Sequence, residues 1–118
     1  MSDPHRPDDP YSRVNYRRLI AWEKRVAREG PFLLSLLHRA PERSVIDIGS
    51  GTGEHVAFFA AAGARAVGLD RSEAMITAAR DHEASSSGRF VLGDAIEARA
   101  VLGAEPSFGL AICLGNML

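Results

Sequence analysis

Val45-Ile46-Asp47-Ile48 runs without a break into Gly49-Ser50-Gly51-Thr52-Gly53-Glu54. A short β-branched run that gives way to three alternating glycines reads as a strand stopping at a ligand. Glycine lacks a Cβ, takes positive φ without strain and lets backbone N–H groups approach a bound molecule, so strand-to-helix turns that grip nucleotides are built from it. Asp47, two residues ahead of Gly49, narrows the ligand further. A carboxylate there repels a pyrophosphate and suits a group carrying positive charge.

The rest of the chain supplies a frame for that turn. From Ser44 onward, short apolar runs alternate with helical ones: strands over 45–48, 66–69, 90–92 and 110–114, and helices over 54–62, 72–80 and 96–101. Alternation of this kind predicts an α/β fold, a Rossmann-like parallel sheet with flanking helices. Right-handed crossovers then put the first strand centrally and any ligand beyond the carboxyl ends of the strands. Asp47 and the glycines close the first strand, Asp70 the second, Asp94 follows the third and Gly115-Asn116 the fourth. Four strand ends thus bring polar groups or glycine to one rim.

Ahead of the sheet, residues 13–41 read as a helical segment. Leu19, Trp22 and Val26 share one face while Arg17, Arg18, Lys24, Arg25 and Arg28 take the others, as in an amphipathic helix. Gly30 is expected to end it, Pro31 to open a second helix through Leu37, and Pro41 to stop that one. Residues 1–12 hold Pro4, Pro7, Pro10 and three aspartates with no apolar core. They are expected to form a disordered leader, neither signal peptide nor membrane anchor. Residues 42–118 form the ligand-binding domain, with an open apolar last strand that suggests a sheet cut short after its fourth strand.

Composition removes several function classes. A chain of 118 residues, 46% hydrophobic and 25% charged, is globular in type and holds one domain at most. Fourteen basic against 15 acidic residues leave a net charge of -1, which argues against nucleic-acid and membrane partners. Cys113 is the single cysteine, so the chain carries no internal disulfide and fits a reducing, cytoplasmic setting. Inside the fourth strand it reads as a small core residue. His5, His38, His55 and His82 are scattered without the paired spacing of a metal site.

Each candidate residue has a structural alternative. Asp70 follows Gly49 by about 20 residues, the distance at which nucleotide-binding folds present an acid to ribose hydroxyls. It also precedes a helix and so competes for the N-cap, but Ser72 is the better cap and leaves Asp70 to the ribose. Asp94 caps the short helix that follows it, or accepts from an adenine amino group while Ile96 and Met75 pack the ring faces, or both. Gly115-Asn116 is either an ordinary turn or a ligand contact.

Four segments together resemble the class I S-adenosylmethionine-dependent methyltransferases. Residues 45–53 resemble the first motif of that family, Val67-Gly68-Leu69-Asp70-Arg71-Ser72-Glu73-Ala74-Met75 the second, Phe90-Val91-Leu92-Gly93-Asp94-Ala95 the third, and residues 108–116 the fourth. Within the class, Cys113-Leu114-Gly115-Asn116 and the helical segment from Trp22 to Phe32 look most like the glycine or sarcosine N-methyltransferase group.

The resemblance implies S-adenosyl-L-methionine as cofactor and methyl transfer to a small-molecule amine or hydroxyl. It implies that Arg25 holds the methionine carboxylate, with Asp47, Gly49, Gly51 and Gly53 seating the methionine end and Asp70 the ribose. Met75, Asp94 and Ile96 take the adenine, while Arg71, Ala95, Leu114 and Asn116 complete the expected cofactor site. No catalytic side chain is singled out. The family sheet has seven strands and this chain supplies four, so a non-catalytic cofactor-binding fragment stands as an alternative. A nicotinamide oxidoreductase fits less well, because Gly53 is two positions after Gly51 rather than three.

Overall fold

A computed structural model describes residues 10–83, 85–103 and 105–114, with side chains described from residue 21 onward. The elements run α1 (Pro10–Arg39), β1 (Ser44–Ile48), α2 (Glu54–Ala61), β2 (Arg65–Asp70), α3 (Glu73–His82), β3 (Arg89–Leu92), a 3-10 turn (Ala95–Glu97), α4 (Ala98–Val101) and β4 (Leu110–Ile112). Two compact units divide the chain, residues 1–33 and residues 34–118.

α1 corrects the expected pair of helices. It is one helix of 30 residues with Pro31 inside it. A proline loses a single intrahelical hydrogen bond and crowds the carbonyl four residues back, a cost of about 3 kcal/mol. Thirty residues of otherwise continuous helix outweigh that local penalty. Pro10 begins the helix, where a missing N–H costs nothing. Residues 1–9, most of the expected leader, lie outside the described residues. Among the described residues no helix is long and apolar enough to cross a membrane.

The second unit holds the expected parallel α/β sheet. All three strand pairings are parallel and the order is β3-β2-β1-β4, with β1 inside. β1 and β2 are buried along almost their whole length, which is why both read as continuous apolar runs rather than alternating ones. On one face, Ile46, Val67 and Leu69 form a cluster closed by Ile48, Val91, Ala98, Val101, Leu102 and Phe108. The side chains one step along each strand belong to the opposite face. There α2 packs on β1 and β2, α3 packs on β2 and β3, and both helices bury apolar side chains, Val56 and Phe59 from α2 and Ile76 and Ala79 from α3.

At the amino ends of the strands, contacts distant in sequence fix the order. The Gly109 amide donates to the buried Ser44 hydroxyl at 2.8 Å, seating the start of β4 beside β1. Arg65 at the start of β2 donates to Glu105 at 3.1 Å and to the Ser107 carbonyl at 2.8 Å, and its guanidinium lies 4.4 Å over the Phe108 ring. Arg89 at the start of β3 pairs with the same carboxylate. The β3–β4 connection is therefore clasped at the edge opposite the glycine turn.

Candidate functional site

Residues 49–53 leave β1 over the carboxyl ends of the sheet. Gly49, Gly51 and Gly53 have φ of 75°, 58° and 85°, the left-handed region that side chains disfavour. The loop bonds to its neighbour strand at once: the Gly49 and Ser50 amides donate to the Leu69 carbonyl at 2.8 and 3.1 Å. Ser50 is buried, and its side chain fills the space that a Cβ on Gly68 would need, with Oγ and Cβ at 2.7 and 2.8 Å from that position. Its Oγ finds no hydrogen-bond partner among the described residues.

The three glycines do different work. A Cβ on Gly51 would meet nothing within 4 Å, so this position opens onto space that a ligand can enter. A Cβ on Gly53 would lie 2.5 Å from Cε1 and 2.7 Å from Cζ of Phe90. The room at Gly53 is thus taken by the protein itself.

Asp70 closes β2 and is engaged at both oxygens. Oδ2 accepts from the Gly51 amide and Oδ1 from the Ser72 amide, each at 2.9 Å. This corrects the expectation that a better cap leaves Asp70 wholly to a ligand. Ser72 does cap α3, its hydroxyl accepting from the Met75 amide at 3.2 Å, yet its own amide still needs an acceptor and Asp70 provides it. Each carboxylate oxygen has a second lone pair, so a ribose hydroxyl can still donate to Asp70. Its backbone carbonyl accepts from the Gly93 amide at 2.9 Å, which ties the end of β3 to the same point.

Large apolar side chains are exposed at or after the ends of these strands. Met75 in the first turn of α3, Leu92 at the end of β3, Ile96 in the 3-10 turn and Leu114 past β4 are 43%, 47%, 93% and 38% exposed. Large apolar side chains left exposed mark candidate binding surfaces. Asp94 stands among them as the cap of the 3-10 turn, Oδ1 accepting from the Ile96 amide at 3.0 Å. Ala95 begins that turn and is partly buried, while Arg71 is exposed beside Asp70.

Asp47 is 2% exposed, in a row across the sheet that runs Ile112, Asp47, Gly68, Phe90. At that depth little of its side chain is open to contact. Arg25 lies in the first unit and pairs with Glu29 one helical turn on. Asn116 lies outside the described residues. Cys113 corrects the expected core thiol: β4 ends at Ile112, and Cys113 is exposed just past it. Among the described residues no group of His, Cys, Asp and Glu could hold a metal ion.

One acid near the rim is electrostatically disturbed. Glu83, at the C-cap of α3, has its pKa raised by partial burial and by the Glu54 carboxylate, with His82 opposing. Phe90 is the neighbour of the glycine turn that local sequence reasoning misses. Its only signal is that an aromatic, in a short strand, faces a glycine loop far away in the chain.

Comparison with known proteins gives this geometry a family. The family model described as a methyltransferase domain matches residues 45–118. Three solved structures overlay on the chain. A protein from Pyrococcus horikoshii OT3 is 29% identical with a TM-score of 0.56, over 62% of this chain and 32% of that one. A structure described by the conversion of a disulfide bond into a thioacetal group during echinomycin biosynthesis is 32% identical with a TM-score of 0.56, over 64% and 31%. A SAM-dependent methyltransferase from Thiobacillus denitrificans in complex with S-adenosyl-L-homocysteine is 23% identical with a TM-score of 0.55, over 73% and 35%, a likeness of fold. The chain spans about a third of the length of each. A comparison with curated proteins found no match.

Proposed function

Because the chain belongs to the methyltransferase domain family, we propose that its carboxyl rim binds S-adenosyl-L-methionine and presents the methyl group to a small-molecule amine or hydroxyl. The observation that carries this reading is Gly51, whose missing side chain leaves open space in the turn after β1, while Met75, Leu92, Ile96 and Leu114 are exposed at or after the ends of the other strands. An adenosyl group needs that combination: backbone that can be approached closely and an apolar surface for the base.

The roles follow from position. The backbone of Gly49, Gly51 and Gly53 seats the methionine end, with the field of Asp47 behind it favouring a cationic sulfur and ammonium. Asp70 keeps its two backbone donors and accepts ribose hydroxyls on its remaining lone pairs, with Arg71 at its side. Met75 and Ile96 pack the faces of the adenine, and Asp94 accepts from the exocyclic amino group while Ala95 lines the edge. Leu114, just past the fourth strand, closes the site.

The bound cofactor supplies a methyl carbon already activated by positive sulfur, so its displacement needs neither a covalent nucleophile nor a metal. The protein's contribution is alignment and exclusion of water. Holding the acceptor's lone pair in line with the breaking bond is worth on the order of 7–11 kcal/mol, more than the roughly 10²–10⁴-fold of a positioned base. That arithmetic is why a rim without a catalytic triad suits the reaction.

Titration calorimetry with S-adenosylmethionine, S-adenosylhomocysteine and NAD tests the reading. We expect both adenosyl compounds to bind and NAD to give no heat, since the field of Asp47 opposes a pyrophosphate. Binding of NAD alone would overturn it.

A further inference from the structure

We propose that Phe90 is a positioning residue for the cofactor loop: its ring forms the floor on which Gly53 rests and so sets the place of the Gly51 backbone. The inference rests on the cofactor reading above and assigns the loop's geometry to a side chain that touches no ligand.

The residues around Gly53 form a closed chain of contacts. Phe90 is buried on β3, in register with Gly68 of β2, and its carbonyl accepts from Arg80 of α3 at 3.0 Å. The Phe90 backbone is therefore held from both sides, and its ring is buried. Above it, Gly53 has φ of 85° and is the N-cap of α2 with no side-chain cap of its own. A Cβ on Gly53 would fall 2.5 Å from the ring and 3.3 Å from Cβ of Ala79, so the backbone is already in contact with both. A helix start without a capping side chain lacks the usual local device that fixes where the chain enters it. Packing on Phe90 replaces that device.

The loop then has three fixed points. Ser50 is seated over Gly68, the Gly51 amide is bonded to Asp70, and Gly53 is stopped by Phe90. Gly51, whose outer side is open, is itself the middle of these three points, held between Ser50 and Gly53. Removing the floor under Gly53 lets the end of the loop settle inward and shifts the open side of the Gly51 backbone away from where a ligand meets it. A misplacement of about 1 Å at a binding group costs up to roughly 10²-fold.

The test compares Phe90→Leu with Val67→Ala, which removes buried apolar atoms from the other face of the same sheet. S-adenosylhomocysteine affinity is measured by calorimetry well below both melting temperatures, and amide hydrogen exchange is followed over residues 49–56. For Phe90→Leu we expect an affinity loss of about tenfold or more and faster exchange in the loop; for Val67→Ala, a similar drop in melting temperature with affinity within about twofold of the parent. Unchanged affinity in Phe90→Leu, or an equal loss in Val67→Ala, would overturn the proposal. If Phe90→Leu does not fold, Phe90→Met, closer in volume, takes its place in the same comparison. If the parent chain itself binds no S-adenosylhomocysteine, the cofactor reading falls, and loop exchange alone then decides whether Phe90 holds the loop.

Discussion

The Gly51 amide donates to Asp70 Oδ2 across 2.9 Å, so the acid that ends the second strand holds the loop that ends the first. The same carboxylate holds the Ser72 amide at the start of α3. Asp70→Ala leaves both donors without their acceptor, and a lost bond of this kind costs about 1–3 kcal/mol where water cannot replace it. Asp70→Asn keeps one acceptor oxygen and should fall between alanine and the parent in urea unfolding. Bracing and ribose binding separate when S-adenosylhomocysteine is compared with its 2′,3′-dideoxy analogue. A ribose contact predicts that the parent prefers the hydroxylated compound and that Asp70→Ala abolishes the preference. Equal losses for both compounds would leave Asp70 as a brace only.

Gly51 and Gly53 should answer to alanine in opposite ways. At Gly51 a methyl meets open space, so Gly51→Ala carries only the left-handed backbone cost of about 1–2 kcal/mol but puts its methyl where the ligand lies. Gly53→Ala adds a collision with the Phe90 ring, which overpacking data put at a further 1–3 kcal/mol or so. Paired thermal melts and calorimetry should show Gly51→Ala losing mainly S-adenosylhomocysteine affinity and Gly53→Ala losing more stability.

The contrast between those glycines shows what local pattern carries. The strand at 45–48, the glycine turn and the acid ending the second strand were legible because each is a property of a few adjacent residues: β-branched stiffness, freedom at positive φ, an acid before a helix. The use made of Gly53 was not, because Phe90 is 37 positions away and nothing near either residue records their contact. Pro31 misled for the complementary reason. A proline is a strong local stop signal, and α1 overrides it. Cys113 reads as strand interior from its apolar neighbours, whereas the strand stops at Ile112 where its pairing with β1 ends at Asp47.

Glu105 should matter to stability and not to ligand. Its side chain is 9% exposed and takes Arg65 and Arg89, while Arg65 also covers Phe108. Glu105→Ala leaves Arg65, which covers the partly buried Phe108 ring, and Arg89 without their shared anion. Hydrogen bonds to charged groups are worth about 1.5–3 kcal/mol, discounted here because both arginines are more than a third exposed at their side chains or close to it. We expect a loss of about 1–2 kcal/mol in urea unfolding, smaller at 1 M salt, with S-adenosylhomocysteine affinity unchanged. A fall in affinity equal to the parent-to-Asp70→Ala difference would show that the amino-end clasp shapes the opposite rim.

Glu83 gives the chain a pH dependence of definite sign. Partial burial first, and the Glu54 carboxylate second, raise its pKa above the ordinary 4.5, against a smaller lowering by His82. The folded state then binds this proton more tightly than the unfolded chain does. Stability is unpenalised below the unfolded value, falls as pH rises from there through the folded value, and carries the full penalty at neutral pH. Glu83→Gln removes the charge and with it the penalty. Its melting temperature should exceed the parent's at pH 7, by no more than about 2 °C for a side chain this open to solvent, and the difference should vanish as the pH drops below about 4, where the parent is protonated in both states. A stabilisation that persists at low pH would trace to the amide's own hydrogen bonds instead of relief from Glu54.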